Sequence, residues 1–107
     1  MPTLLQFNFV HPGPFGSQRI GALQDLARSI AEEPGFLWKI WIENEERKEG
    51  GGIYLFADEA TATAYLKKHT ERLGRLGATG ISAKMFDVNE ELTQITRGPI
   101  AASATNR

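Results

Sequence analysis

The residues of this chain equipped for chemistry are few: two histidines, two tyrosines, two tryptophans and a pair of amide side chains on one strand. His11 and His69 lie in unlike contexts, and neither has the His-x-x-x-His or carboxylate spacing of a metal site. No metal ligand set is expected. The sequence has no cysteine, which removes thiolate ligands, Cys nucleophiles and disulfides. Gly50-Gly51-Gly52 leads into a strand rather than a helix N-terminus, so it reads as a hairpin turn and not as a phosphate cradle. Neither a Ser-His-Asp set nor a carboxylate pair can be picked out, and hydrolase chemistry has no foothold.

What remains is aromatic and amide chemistry. Gln6 and Asn8 alternate with Leu5, Phe7 and Phe9 and belong to the opposite side of their strand. Tyr54 and Phe56 share a parity in a later strand. Trp38 and Trp41 differ in parity, so a regular strand cannot present both to one cavity; each reads as core packing first and ligand contact second. Lys39 and Glu43 share the side of Trp41; they read first as a solvated edge and second as pocket charges. His69 lies on an apolar helical stripe with Tyr65. It reads first as a buried, hydrogen-bonded structural histidine, yet it is the one obvious proton-transfer candidate near a core face. His11, in a Pro-Gly loop, reads as exposed.

The elements that must position these groups follow from periodicity. Residues 3 to 10 alternate as a strand, and the Pro- and Gly-rich segment from His11 to Gly16 ends it. Ser17 is the expected N-cap of a first helix with the stripe Ile20, Leu23, Leu26, Ala27 and Ile30. Phe36 to Glu45 is a second strand, Asn44 to Gly52 a hairpin connection and Ile53 to Ala57 the return strand. Asp58 is the expected cap of a second helix, with the stripe Ala62, Tyr65, Leu66, His69, Leu73 and Leu76, and Gly77 stands at its C-terminus. Thr79 to Val88 is the last strand, and Asn89 caps a short turn carrying Leu92 and Ile95. Residues 1–97 form one domain; 98–107 read as a mobile C-terminal tail.

Lysine and arginine number 12 against 13 acidic residues, so there is no basic footprint for nucleic acid. No apolar run reaches the ~20 residues that span a bilayer, and no signal-peptide pattern opens the chain; a cytoplasmic protein is expected, with neither nucleic acid nor membrane as partner. The β-α-β-β-α-β order predicts an α+β, ferredoxin-like antiparallel sheet with both helices on one face. Its strands are apolar at both parities, whereas a solvated face should read polar. A second copy is therefore expected against the helix-free face, as a homodimer with ligand space between that face and the partner.

Gly-Pro-Phe-Gly at 13–16, Glu-Glu-Pro-Gly-Phe-Leu-Trp-Lys-Ile-Trp at 32–41 and Gly-Gly-Ile-Tyr-Leu-Phe at 51–56 carry a family resemblance. So do Ala-Tyr-Leu-Lys-Lys-His-Thr-Glu-Arg-Leu at 64–73 and Ala-Lys-Met-Phe-Asp-Val-Asn-Glu at 83–90. In this order they resemble the YdhR-type monooxygenase family of the dimeric α/β-barrel superfamily, over residues 3 to 97. The resemblance implies two sheets facing each other as a barrel, a pocket in each subunit, and oxidation of aromatic or quinone-like substrates without metal or bound flavin. Related oxygenases often carry tryptophan at the end of the third strand; Phe56 stands there and lacks the indole N–H.

Metal-free oxygenation requires a substrate that supplies electrons to oxygen itself, such as an electron-rich phenol or quinol held in a dry pocket. The expected catalytic set is Asn8, donating to the substrate oxygen, with Tyr54 and His69. Gln6, Trp38, Trp41, Phe56 and Tyr65 are the expected substrate-binding residues. The function expected is thus a cofactor-independent monooxygenase acting on a small aromatic molecule, with no cofactor. The alternative is a non-catalytic binding or sensing module of the same fold.

Overall fold

A computed structural model describes residues 2–100. Four strands, β1 (Thr3–Val10), β2 (Phe36–Asn44), β3 (Glu49–Phe56) and β4 (Thr79–Asp87), form one antiparallel sheet in the order β2-β3-β1-β4. Helices α1 (Ser17–Ala31) and α2 (Glu59–Arg75) cover one face, and a short α3 (Glu90–Ile95) follows β4. This is the ferredoxin-like arrangement expected from the element order.

Alternation decides which side chains meet the helices. Leu5, Phe7 and Phe9 of β1 are buried with Tyr54 and Phe56 of β3 and with Ile30, Ala62, Tyr65 and Leu73 of the helices. On α2 the buried positions Ala62, Tyr65, His69 and Leu73 fall three or four residues apart, one stripe of a 3.6-residue period. Each large apolar side chain removed from water contributes about 2–3 kcal/mol. Asp58 caps α2 as expected, its carboxylate accepting the Thr61 N–H at 2.8 Å. Asn89 does the same for α3 through the Leu92 N–H.

Helix α1 is held differently. Its N-cap is Gly16, not Ser17, and no side chain caps it. Glu43 of β2 instead accepts the Gly16 N–H at 2.8 Å and also binds Arg19, so a neighbouring strand satisfies the exposed amide. Only Ile30 of the expected stripe is buried; Ile20 stays 58% exposed. The C-terminal half of α1 is packed, while its N-terminal half leaves a cleft over β2.

Two strand details differ from the simple alternation. The glycines Gly50–Gly52 lie within β3, opposite Phe9, Asn8 and Phe7, and are not the turn. Backbone crowding is the reason: a Cβ on Gly51 would strike the Phe7 carbonyl oxygen. A bulge at Leu37 shifts β2, so Phe36 pairs with Phe56 but Trp38 pairs with Leu55. Phe36 and Trp38, of equal parity in the sequence, therefore occupy opposite faces. Beyond α3, residues 98–100 return toward β2, where the Pro99 carbonyl accepts from Trp38 Nε1 at 2.6 Å. The rest of the expected tail, 101–107, lies outside the described residues.

Candidate active site

The cleft under α1 comprises two adjoining cavities of about 170 and 230 Å³ that share Arg19, Leu23 and Trp41. Phe9, His11, Lys39 and His69 line the deeper one. Joined, they reach the lower end of the size range of small-molecule sites.

Lys39 forms its charged wall. The ammonium lies 3.3 Å from the Trp41 ring centroid and 4.6 Å from that of Tyr54. Among the described residues no carboxylate comes within ion-pair distance of it. Burial, reinforced by the positive charges of Arg19 and Arg72, lowers its pKa from 10.5 to about 7. Glu43, the one acidic residue at the cleft among the described residues, is already committed to the Gly16 N–H and Arg19, which hold its pKa below the usual value.

His69 is 2% exposed, stacked at 5.0 Å on Tyr65 and edge-on at 5.2 Å to Phe7. Arg72 donates to its Nδ1 from Nε at 3.2 Å and from a terminal nitrogen at 3.0 Å. A guanidinium only donates, so Nδ1 accepts and the ring proton belongs on Nε2. Burial, then the charges of Lys39 and Arg72, lower the His69 pKa to about 3. At neutral pH it is an uncharged donor, not a base.

Tyr54 and Tyr65 are fully buried, with the Tyr65 hydroxyl donating to that of Tyr54 at 3.1 Å. Burial raises both phenol pKa values, that of Tyr65 to about 12, so neither ionises near neutrality. Tyr54 forms the floor beneath Lys39, Tyr65 packs against Tyr54 and His69, and neither lines the cavities. Phe56 is likewise fully buried core, stacked on Tyr54.

The expected residues therefore divide between two faces. Tyr54, Phe56, Tyr65, His69 and Trp41 gather on the helix side. Gln6, Asn8 and Trp38 lie on the helix-free side, because Gln6 pairs with Ile53, and Asn8 with Gly51, at the parity opposite to Tyr54. Gln6 donates to Asn8 at 3.1 Å. Asn8 and Tyr54 thus cannot act on one substrate oxygen, which corrects the catalytic grouping drawn from the sequence. Trp38 lines a separate cavity of about 350 Å³ with Leu4, Leu55, Phe86 and Pro99.

Three wall residues are not in the set expected from the sequence. Lys39 fills the second of its two sequence readings, a pocket charge rather than a solvated edge; nothing in the pattern singles out Arg19, and His11 is not simply exposed. The His11 ring packs against Phe9 and Phe15, with centroids 5.5 and 4.7 Å away, and its Nδ1 accepts the Gly13 N–H. Burial and the Arg19 charge lower its pKa. The available signal was Lys39 itself, a lysine set among tryptophans and isoleucines within a strand.

A four-stranded antiparallel sheet with two helices on one face and an aromatic, cation-bearing cleft beneath them defines a small α+β protein of the ferredoxin-like class, and solved structures share its fold. A SnoaB variant, described as a cofactor-independent oxygenase from Streptomyces nogalater, aligns with TM-score 0.59 and 19% identity over 82% of this chain and 93% of its own. A structural-genomics protein, YJCS, aligns at 0.60 with 14% identity, over 83% and 100% of the two chains. A protein described as a "putative antibiotic biosynthesis monooxygenase" from Deinococcus radiodurans aligns at 0.57 with 10% identity, over 81% and 92%. No curated protein sequence matches the chain. The family described as "Putative mono-oxygenase ydhR" matches residues 4–99, and the chain belongs to it. The family's description is that of a mono-oxygenase, in agreement with the sequence resemblance.

Proposed function

We propose that the chain is a cofactor-independent monooxygenase of electron-rich hydroxyarenes, phenols or quinols, bound in the α1/β2/α2 cleft of each protomer of a cytoplasmic homodimer. The observation that carries this reading is the Lys39 ammonium against Trp41 and Tyr54, free of any described carboxylate, at the wall of an aromatic cleft. Such a wall favours a flat ring that carries, or develops, negative charge.

The chemistry needs only the substrate and dioxygen. An ionised phenol passes electrons to oxygen; one oxygen atom bonds to ring carbon and the other leaves as water. A phenol plus dioxygen then balances as a quinone plus water. The protein's part is to keep the ring dry between Trp41, Phe9 and Leu23, and to stabilise its oxygen. The uncharged His69 suits donation from Nε2 to that oxygen.

The homodimer rests on the helix-free face. Ile40 and Phe86 are 49% and 50% exposed there, beside Ile42, Ile53 and Leu4, an apolar surface that a second copy would cover. No described helix is long and apolar enough to cross a membrane. The test is oxygen uptake with a panel of naphthols and quinols, comparing wild type with Trp41→Leu. Uptake by wild type, weakened in the variant, is expected. Ring binding without oxygen uptake would replace the enzyme with a small-molecule binding module.

A further inference from the structure

We propose that Lys39 is the proton acceptor of this site, taking the hydroxyl proton of the bound arene and pairing with the oxyanion it creates. This rests on the oxygenase reading of the cleft and deepens it, because it selects hydroxyarenes acidic enough to exchange a proton with an amine near neutrality.

Lys39 reaches the cavity from β2 over a glycine. A Cβ on Gly52 would lie 2.5 Å from Lys39 Cε, so a bare backbone gives the stem its path to the rings of Trp41 and Tyr54. Every described charged or titratable group facing it is accounted for. Arg19 approaches from α1 and is held by Glu43 at 3.1 Å. Arg72 of α2 is engaged with His69 Nδ1. His69 and Tyr54 are uncharged at neutral pH, and His11 in the loop after β1 shares the same wall.

No other described group there is free to serve as the base. The tyrosines hold their protons tightly, His69 gains one only in strong acid, the His11 Nδ1 lone pair is taken up by the Gly13 N–H, and no uncommitted carboxylate among the described residues lines the cavity. With a pKa of about 7, Lys39 is partly neutral at physiological pH and can accept a proton. The step balances in itself: the aryl O–H bond breaks, an N–H bond forms on Nζ, and an aryloxide faces an ammonium. The surrounding positive charge that weakens Lys39 as a cation then favours the aryloxide.

The test uses para-nitrophenol, whose ionised form absorbs visible light, and its non-ionising methyl ether, para-nitroanisole. Bound to the wild-type protein, para-nitrophenol is expected to ionise at a pH lower by about 1 unit or more than in solution. Lys39→Met, or Lys39→Gln as a second neutral variant, abolishes that shift while para-nitroanisole binds as well as before. Lys39→Arg keeps the ionisation shift through its fixed charge but cannot accept the proton. Binding of para-nitrophenol below its solution pKa therefore releases about one proton to buffer in the variant and markedly less in wild type, read by calorimetry in two buffers; equal release overturns the proposal. An unshifted ionisation in wild type, an equal shift in Lys39→Met, or no binding of para-nitrophenol to wild type overturns the proposal. Ionisation that shifts with Lys39 but brings no oxygen uptake for any hydroxyarene supports this anion site and overturns the oxygenase reading alone.

Discussion

Gly52 and Lys39 are structurally paired: the stem of the lysine occupies the space that a side chain on the glycine would take, with 2.5 Å separating Lys39 Cε from the position of a Gly52 Cβ. The same Cβ would lie 2.9 Å from the Tyr54 ring. One missing side chain therefore sets both the height of the ammonium over its aromatic floor and the depth of the cleft.

Gly52→Ala is accordingly expected to act twice. Overpacking at this buried position costs about 1–3 kcal/mol, read as a lower urea midpoint. The displaced ammonium also weakens binding of an aromatic anion more than that of a neutral ring of the same shape. Equal affinities of wild type and variant for both ligands, measured calorimetrically, would contradict the pairing.

Stability is expected to rise with pH in two stages. The folded-state pKa of His69 is depressed, from 6.5 to about 3. Its contribution is complete above about 6.5 and is lost as pH falls toward 3, on the order of 4 kcal/mol for a group this buried. Lys39 is also depressed, from 10.5 to about 7, so stability declines as pH falls across that higher window. Lys39→Met should flatten the upper stage and raise stability at pH 7 by about 1–3 kcal/mol, a residue kept for function at the expense of the fold. Urea titrations across both windows check this; a variant less stable than wild type at pH 7 refutes it.

Strand and helix positions were legible in the sequence because each follows from local periodicity. The stripe through Ala62, Tyr65, His69 and Leu73 is an example, and so are the caps Asp58 and Asn89. The site was less legible, for two physical reasons. A bulge at Leu37 resets the alternation of β2, and no propensity marks where a ladder will skip a residue. The glycines 50–52 carry turn composition, yet their role is set by Phe7, His11 and Lys39 approaching from other segments. Within β1 and within β3, alternation alone gives the side on which each residue lies. The pairing of Leu5 with Tyr54, which puts Asn8 on the opposite face, depends on a register that neither strand encodes alone.

The two tryptophans should separate cleanly in experiment. Trp38→Phe removes the bond to the Pro99 carbonyl and is expected to cost about 1 kcal/mol of stability while leaving cleft binding unchanged. Trp41→Leu should instead weaken aromatic-ligand binding by roughly 10-fold, the loss of ring contact and of the surface that holds the ammonium. In Trp38→Phe the remaining tryptophan becomes a reporter. Its emission should respond to a cleft ligand, whereas the emission of Trp41→Leu, which retains only Trp38, should not.

The helix-free face supplies the remaining prediction. Trp38, Leu55, Leu4 and Phe86 form one row across the four strands, and Ile40 and Ile53 begin the next row beside Gln6 and Lys84. Ile40 and Phe86 are about half exposed in the protomer, so a charge at either position costs the isolated fold little, within about 0.5 kcal/mol. In a sheet-to-sheet dimer the same charge would be buried without a partner, at a cost of several kcal/mol. Ile40→Lys is therefore expected to sediment as a protomer under conditions where wild type sediments as a dimer, with the urea midpoint of the dissociated fold little changed. Cleft binding should survive in the separated protomer, since Lys39, Trp41 and His69 come from one chain. A wild type that sediments as a protomer at micromolar concentration would refute the dimer and leave the cleft intact.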